Sequence, residues 1–573
     1  MTRFATLLVL LAFGASAAAQ TPGSCVAASA MRVLDDSDVQ AAVYNNGSLF
    51  YANTNVAGLY VVPKDLGVPS IYAAGIWVGG LVGGAPRVAG SRYDNFEFWP
   101  GPLEDGATLP DPSCQSFDRI YLVSQAQIDD YDTTGTRYDD LEEWPADLGA
   151  PVIAAPGNGV DDDGDGDTDE GTDGADNDGD GQTDEYDEAE RRTDGGYDIA
   201  GGDRPDLGGG TQAAWWVMND VGNTHAETNS QPLGIEVRVL AFSKASDDPA
   251  FDQATFYRYE ILNRSSNAIE DAHIAVFVDA DLGAEFQDDY VGSDPSRSLV
   301  YTYNADDDDV GGFGAAVPAI GLDVLTGTST MMYFINNNEA PNTNDPGTGT
   351  FPPFNEQYYN IMEGLWKDGT PMTEGGLGYQ TNGDVTTYAF SGDPVVPEFW
   401  SERRTTTSGG ANTPDDRRMV GASPRFTLAP GERGQYDVSF VWARGADHLD
   451  SITELRAASD AVQAAYEAGE LFPPATDRIV TTELGPGPAG LELAPPRPNP
   501  SAGGAEVVFA LAAPADATLR VVDVLGRTVA TLHDGPLAAG PHAAAVGGLP
   551  PGTYVVVLEA GGTRVTRAMT VVR

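Results

Sequence analysis

The sequence predicts a mainly β protein: a β-sandwich body with an inserted acidic segment, one late helix, and a C-terminal immunoglobulin-like domain. Glycine and proline make up 68 and 39 of the 573 residues, so turn-forming residues are too frequent for long helices to dominate. Short apolar or alternating runs separated by turn signals are typical of β-strands. With 41% hydrophobic and 9% aromatic residues, the chain also has enough apolar side chains for packed cores.

Residues 1–19 have the pattern of a secretory signal peptide. Arg3 supplies a basic start, Phe4–Phe13 an apolar run, and Ala17–Ala19 a small-residue cleavage site. The apolar run is too short to span about 30 Å of hydrocarbon, so a membrane anchor is disfavoured. We expect Sec export to the periplasm and a mature chain that starts at Gln20 and has no membrane span.

Two cysteines, Cys25 and Cys114, are the only ones in the chain. In an oxidising compartment they either form one disulfide that closes a loop of about 90 residues or stay as two thiols, and the spacing alone leaves both open. A metal site built from cysteine sulfur is excluded, because no further cysteine could complete it.

Residues 20–480 are predicted to form the β-rich body. An Asn45-Asn46-Gly47 turn between apolar runs indicates a hairpin. The alternation in Gly234–Leu240 is typical of a half-exposed strand. Its expected partners are Phe256–Ile261 and His273–Val278. Further strands are predicted at Ile71–Val78, Ala213–Met218 and twice within Pro424–Trp442.

One helix is predicted at the end of the body. Ser451 and Glu454 have the spacing of a capping box, and Gly469 can end the helix. Apolar residues recur at helical spacing, which indicates a helix packed on the sandwich rather than a helix that binds a partner. This face contains Ile452, Leu455, Val462 and Tyr466.

A linker and a separate domain are predicted after the body. Residues 481–497 are rich in glycine and proline, as linkers are. Residues 498–573 contain short alternating runs separated by turn signals, as in a small immunoglobulin-like sandwich.

The acidic segment at residues 157–188 is inserted in the body and contains no basic residue. Its carboxylates repel one another unless cations neutralise them. The D-x-D-x-D-G spacing points alternate side chains at one centre and supplies the roughly six to eight oxygens that Ca²⁺ takes, whereas Mg²⁺ prefers to keep its waters. The predicted calcium ligands are Asp161, Asp163, Asp165 and Asp169 in a first loop, and Asp176, Asp178, Asp180, Gln182, Asp184 and Asp187 in a second.

Two alternatives stay open for the acidic residues. The first loop departs from the pattern at its twelfth position, where Thr172 stands, and the whole segment could be a solvated acidic linker. A looser cluster follows a predicted strand, where a calcium site at the strand end is one interpretation and solvated turn aspartates are the favoured one. That cluster contains Asp279, Asp281, Asp288, Asp289 and Asp294.

The net charge and the lack of three known functional motifs disfavour several classes of function. With 31 Lys and Arg against 86 Asp and Glu, the net charge of −55 disfavours nucleic acid as a partner. The chain has no H-E-x-x-H, no G-x-S-x-G and no phosphate-binding G-x-x-x-x-G-K-[ST] motif. His225 has acidic neighbours, but a solvated loop histidine is the favoured interpretation. We therefore predict no catalytic residues, and whether the chain is an enzyme stays open.

The tail contains Pro498-Asn499-Pro500, Asp523-Val524-Leu525-Gly526-Arg527, Gly540, Gly552-Thr553-Tyr554 and a closing run from Thr566 to Arg573. With this combination the tail resembles the C-terminal sorting domain of the bacterial type IX secretion system. The resemblance implies that the type IX machinery is a partner and exports the chain across the outer membrane. The acidic loops resemble thrombospondin type 3 calcium repeats. The body resembles large secreted Bacteroidetes-type proteins in stretches that include Ala73–Gly80, Phe98–Pro102 and Ala214–Asp220.

We therefore expect a secreted or cell-surface structural or adhesive protein, exported by the type IX system and stabilised by calcium. A surface polysaccharide is a further candidate partner. The alternatives are an extracellular hydrolase that uses carboxylates of the body, and a calcium-dependent glycan-binding protein that uses exposed aromatic rings.

Overall fold

The computed structural model describes most of the chain between residues 25 and 571. The described residues are 25–26, 28–51, 58–93, 97–107, 110, 113–154, 190–192, 197–222, 225–335, 342–348, 352–472, 491–493, 504–511, 515–523, 527–537, 540–547, 549–550, 552–560 and 563–571. The predicted signal peptide lies outside them.

Strands dominate the body, as predicted. They are β1 (Met31–Leu34), β2 (Gln40–Tyr44), β3 (Ser48–Leu49), β4 (Tyr60–Val61), β5 (Pro69–Ile71), β6 (Ala73–Val82), β7 (Ala85–Gly90), β8 (Trp99–Pro100), β9 (Tyr121–Ser124), β10 (Val152–Ala154), β11 (Glu190–Arg192), β12 (Arg204–Pro205), β13 (Gln212–Asn219), β14 (Ile235–Ser243), β15 (Thr255–Asn263), β16 (Ile269–Asp279), β17 (Asp289–Asp294), β18 (Leu299–Asn304), β19 (Asp308–Asp309), β20 (Gly314–Ala315), β21 (Ala319–Val324), β22 (Thr330–Ile335), β23 (Arg417–Ala422), β24 (Phe426–Leu428) and β25 (Arg433–Ala443).

Helices are few and mostly short. The α-helices are α1 (Gln125–Thr134), α2 (Asp139–Glu142), α3 (Pro249–Asp252), α4 (Phe354–Met362) and α5 (Asp450–Glu467), and 3-10 turns occur at Lys64–Leu66, Cys114–Phe117, Ala146–Leu148 and Phe286–Asp288. Among the described residues, none of the helices is both long and apolar enough to cross a bilayer.

Two large antiparallel sheets form the body. In the described residues the first sheet has eleven strands in the order β22-β23-β16-β6-β3-β2-β4-β5, with β1, β7 and β24 added at its side. The second has nine strands in the order β17-β18-β21-β25-β15-β14-β13-β8, and β9 also pairs with β13. The predicted Asn-Gly hairpin is the β2–β3 turn, where Val43 pairs with Leu49 and Gly47 has φ of 84°. Glycine suits this left-handed position because it has no Cβ.

The two sheets enclose one apolar core. Side chains from β6 and β16 of the first sheet meet side chains from β14, β15 and β25 of the second. This packing confirms the β-sandwich prediction and identifies the main source of stability, because burial of apolar surface is the dominant favourable contribution to folding. Core residues include Ile76, Val78, Ile274, Val276, Val237, Val239, Ile261, Val438 and Phe440.

The outer faces of both sheets are covered as well. Helix α4 and neighbouring loops pack over Trp77 and Phe277 of the first sheet, and α5 packs over the second. The prediction of a half-exposed strand at β14 is therefore wrong. The charged residues of β14 face the layer that covers the second sheet. There Glu236 is fully buried and accepts hydrogen bonds from Arg238 and Arg264.

One predicted strand pairing is confirmed and the other is wrong. β15 pairs with β14 over its whole length, from Thr255 opposite Ser243 to Asn263 opposite Ile235. β16 instead crosses to the first sheet and pairs with β6 and β23. Ile274–Val278 is apolar on both faces, and such a run shows that a strand is covered on two sides without showing which sheet it joins.

The late helix α5 is confirmed, but its predicted capping box is wrong. Ser451 lies inside the first turn, where its Oγ donates to the carbonyl of Val317 at 2.8 Å. Asp447 Oδ1 accepts from the N–H groups of Leu449 and Asp450, at 2.9 Å each. Gly469 follows the helix with φ of 76°, as expected of a C-terminal glycine.

Seven further strands follow the body in the described residues. They form a three-stranded and a four-stranded antiparallel sheet that share one apolar core, as an immunoglobulin-like sandwich does. The first strand lies within the predicted linker range and pairs with the second. The strands are β26 (Leu491–Leu493), β27 (Gly504–Leu511), β28 (Ala515–Asp523), β29 (Thr528–Leu537), β30 (Gly540–Gly547), β31 (Gly552–Ala560) and β32 (Thr563–Val571).

Cys25 and Cys114 form a disulfide, with their Cα atoms 5.9 Å apart. Both cysteines are buried against Trp99. Of the two possibilities that the sequence left open, the structure contains the disulfide.

Candidate metal centre

Three aspartates meet at one end of the first sheet. Asp279 ends β16, Asp281 follows it by two residues, and Asp416 immediately precedes β23. Because β16 and β23 are antiparallel neighbours with Asp279 opposite Arg418, the end of one strand lies beside the start of the other. Sheet pairing thus brings together residues that are about 135 positions apart in the chain.

The carboxylates are close enough to share a cation. One oxygen from each of Asp279, Asp281 and Asp416 lies within 4.8 Å of the others. Two oxygens that bind Ca²⁺ from opposite sides at about 2.4 Å are themselves about 4.8 Å apart. The spacing therefore suits a cation held by oxygen atoms.

Asp289, the first residue of β17, adds a fourth carboxylate beside this group. Its backbone carbonyl accepts from the N–H of Asp415, which places it next to Asp416. Its side chain is 1% exposed, and its Oδ2 accepts from the N–H of Leu282 at 3.2 Å. In the described part of the chain, neither Oδ1 of Asp289 nor Oδ1 of the fully buried Asp279 has a hydrogen-bond partner.

Arg418 supplies a single positive charge to this region. Its Nε lies 3.1 Å from Asp279 Oδ2, and its Nη2 lies 3.4 Å from Asp416 Oδ2. Tyr93 Oη donates to the same Asp279 oxygen at 2.7 Å, and Arg418 also contacts Asp345 at 3.5 Å. Asp345 also contacts Arg92 at 3.6 Å, whereas Asp279 and Asp416 share the guanidinium of Arg418, so negative charge is in excess among the grouped aspartates.

The pKa values show the electrostatic cost of this arrangement. Burial and the neighbouring carboxylates of Asp279 and Asp416 raise the pKa of Asp281 to about 8. Burial raises the pKa of Asp289 well above its usual range, and the repulsion of nearby aspartates adds to the effect. Burial also raises the pKa of Asp279, although Arg418 and Tyr93 oppose it. A bound cation would stabilise the charged forms of all of these groups.

The sequence identified part of this centre. Asp279, Asp281 and Asp289 belong to the looser cluster for which solvated turn aspartates were favoured, yet Asp279 and Asp289 are buried. Asp294 lies elsewhere, paired with Arg297 at 2.7 Å, and Asp288 is not among the three grouped carboxylates. Asp416 was missed, because no local spacing connects it to the others. All the predicted loop ligands, Asp161, Asp163, Asp165, Asp169, Asp176, Asp178, Asp180, Gln182, Asp184 and Asp187, lie outside the described residues.

His225 is buried, which corrects the expectation of a solvated loop histidine. Its Nδ1 lies 2.8 Å from the carbonyl of Val88, and its Nε2 lies 2.8 Å from the carbonyl of Asp220. Carbonyl oxygens only accept, so both ring nitrogens donate and the ring is an imidazolium. Burial would lower the pKa of His225, but the carboxylates of Glu97 and Asp220 outweigh it and raise that pKa. The ring thus connects strand β7 to Asp220, which follows β13, and both of its nitrogens are used in these contacts.

No family model and no curated protein matches the chain. Solved structures similar to parts of it include a polysaccharide lyase, at 10% identity and a TM-score of 0.20 over 59% of this chain and 34% of that one. They also include dimeric latent PorU from Porphyromonas gingivalis, at 10% identity and a TM-score of 0.15 over 63% of this chain and 31% of that one. The chain matches about a third of the length of each, and at these TM-scores neither likeness carries an argument.

Proposed function

We propose that this chain is an exported cell-surface protein with a structural or adhesive role, delivered by the type IX secretion system through its C-terminal domain and stabilised by divalent cations. The domain division at residues 480 and 498 and the calcium loops at residues 157–188 are parts of this proposal. The excess of acidic over basic residues fits such a role, because an acidic surface attracts cations and repels nucleic acid.

The observation that carries the proposal is the independent core of the tail. Its two sheets enclose their own apolar cluster, so the segment has what a domain needs to fold as a unit. Residues of the sorting-domain resemblance occupy that core: Tyr554 is 7% exposed and Met569 is 1% exposed. The similarity therefore lies in folded core positions and not only in turns.

No tryptophan ring lies at the surface, where it could stack on a sugar. All eight tryptophans are buried, and the most exposed, Trp442, has only 4% of its surface exposed. Sugar recognition by stacking needs an aromatic face at the surface. The glycan-binding alternative therefore has no tryptophan to use, and its exposed rings among the described residues are Phe286 and Phe399, at 40% and 37% exposure.

Localisation of a truncated chain tests the export proposal. Deletion should start at residue 491, because β26 pairs with β27 and belongs to the tail sheet. In a bacterium with a type IX system, we expect the full chain at the cell surface, accessible to added protease, and the chain lacking 491–573 in the periplasm. A reporter preceded by residues 1–19 and followed by residues 481–573 is the matched control and should reach the surface. Surface delivery of the truncated chain would contradict the proposal.

A further inference from the structure

The aspartates at the end of the first sheet connect two sheets of the sandwich. Asp279 and Asp416 flank strands of the first sheet, whereas Asp289 begins β17 of the second. The backbone bond between Asp415 and Asp289 crosses the same boundary. A group bound among these carboxylates would therefore hold the two sheets together at this edge.

Burial and carboxylate oxygens without partners distinguish this group from a solvated acidic surface. Asp279 and Asp289 are fully or almost fully buried, and each keeps one carboxylate oxygen without a hydrogen-bond partner in the described residues. A buried polar atom without a partner carries a free-energy cost, which is larger when the atom is charged. Solvated turn aspartates would face water and would not incur this cost.

The ligand atoms of this group determine which class of metal ion it can bind. The group offers only carboxylate oxygens, with no histidine or cysteine, so soft and borderline metals such as zinc are disfavoured. Mg²⁺ keeps several waters and is usually held by one or two carboxylates, whereas Ca²⁺ takes more oxygen ligands in flexible geometry. Arg418 neutralises only one of the negative charges, which leaves room for a divalent ion.

We propose that Asp279, Asp281 and Asp416, with Asp289 as a fourth carboxylate, bind one Ca²⁺ ion that joins the two sheets of the body. This site is separate from the acidic loops at residues 157–188. The millimolar calcium that would fill it is found outside cells, so its occupancy rests on the proposed export of the chain. The ion clamps the start of β17 and the start of β23 onto the end of β16.

Backbone φ at Asp281 agrees with this role. Its φ is 44°, in the left-handed region that non-glycine residues seldom adopt, although aspartate tolerates it better than most. This conformation lets the chain reverse after β16 and return the carboxylate towards Asp279. The strain is repaid if the carboxylate binds an ion.

Calcium titration of the mature full chain tests the site. The purified chain is stripped with EDTA and dialysed, and calorimetry with Ca²⁺ or Mg²⁺ is compared for wild type, Asp281→Asn and Asp416→Asn. We expect each variant to lose one calcium equivalent, or to bind it at least about tenfold more weakly, with dissociation constants of wild type near 10⁻⁴–10⁻³ M. Asp308→Asn, an exposed substitution that removes the same charge, is the matched control and should bind as wild type does.

Hydrogen–deuterium exchange identifies which segments of the chain respond to calcium binding. Calcium should slow exchange in peptides that cover residues 279–291 and 415–420 in wild type and in Asp308→Asn, but not in Asp281→Asn. Removal of one of the crowded carboxylates relieves repulsion, so Asp281→Asn should be at least as stable as wild type without calcium and should gain less from it. This combination distinguishes a lost ligand from a misfolded variant. Calcium protection of these peptides that is equal in all three proteins would overturn the proposal.

Separate variants distinguish the proposed site in the body from the acidic loops at residues 157–188 and from the export proposal. Asp176→Ala with Asp180→Ala should reduce the calcium stoichiometry while the protection of residues 279–291 is kept. Loss of that protection in the loop variant would overturn a separate site in the body. Because the titration uses purified protein, a failure of surface delivery leaves its result unchanged, and the two proposals fail independently.

Discussion

Buried acids decide the pH response of this protein residue by residue. Asp323 on β21 is fully buried, and its carboxylate accepts hydrogen bonds from Ser459 at 2.6 Å and from Gln463 at 2.7 Å. Burial raises the pKa of Asp323 to about 7, although these hydrogen bonds oppose the shift. The neutral acid is thus the form that the folded state prefers.

The first prediction concerns Asp323. A folded pKa above the unfolded value stabilises the protein below pH 4, and this contribution is lost as the pH rises through about 7. Wild type should lose on the order of 3 kcal/mol between pH 4 and pH 8 relative to Asp323→Asn, which stays neutral. Thermal unfolding at both pH values measures this difference. Glu454→Gln, on the exposed face of α5, should follow wild type, and an equal pH dependence of Asp323→Asn would contradict the assignment.

At the scale of elements, α5 is held by the face that it buries. Leu455 is fully buried against the second sheet, whereas Thr453 on the same helix is exposed. Ser459 and Gln463 on this helix bond Asp323 of β21, so the helix is attached by polar as well as apolar contacts. The helix covers the outer face that would otherwise leave β21 and β25 half-exposed.

A second prediction follows for this helix. Leu455→Ala removes buried methyl groups and leaves a cavity, so the body should lose about 2–5 kcal/mol of unfolding free energy. Thr453→Ala removes an exposed side chain and should change it by less than about 0.5 kcal/mol. Urea unfolding followed by tryptophan fluorescence reports on the body, because all eight tryptophans lie within it. Equal effects of the two substitutions would show that the helix does not stabilise the sandwich.

Across the whole molecule, the disulfide and the sandwich act over long sequence separations. Cys25 and Cys114 close a loop with a sequence separation of 89 residues, and their Cα distance of 5.9 Å lies in the usual range. Cross-linking such a loop reduces the entropy of the unfolded chain, which is worth about 2–4 kcal/mol.

The third prediction tests this cross-link. Reduction should lower the melting temperature of the exported chain, and Cys25→Ala with Cys114→Ala should lower it similarly and abolish the response to reductant. Differential scanning calorimetry with and without dithiothreitol measures both effects. A double variant that melts as oxidised wild type does would show that the disulfide does not stabilise the fold.

The sequence alone was sufficient for the class of fold and for many strands. Turn residues and periodicity are local properties, so the Asn45-Asn46-Gly47 hairpin, the strands at β13, β24 and β25, and the helix α5 could be predicted from short windows. The capping-box prediction was wrong because it rested on spacing alone. Ser451 has the spacing of a capping residue, but its hydroxyl donates to the carbonyl of Val317 instead of capping the helix.

The tertiary structure decided which strands became neighbours and which acids met. β14 and β16 were expected to pair, yet they lie in different sheets. The layer over the second sheet buries Glu236, although the alternation in β14 predicted an exposed face. Asp416 joins Asp279 only because antiparallel pairing places Arg418 opposite Asp279. Local spacing determines turns, strands and loops, whereas a site made of distant carboxylates depends on strand order, which is settled only when the whole core packs.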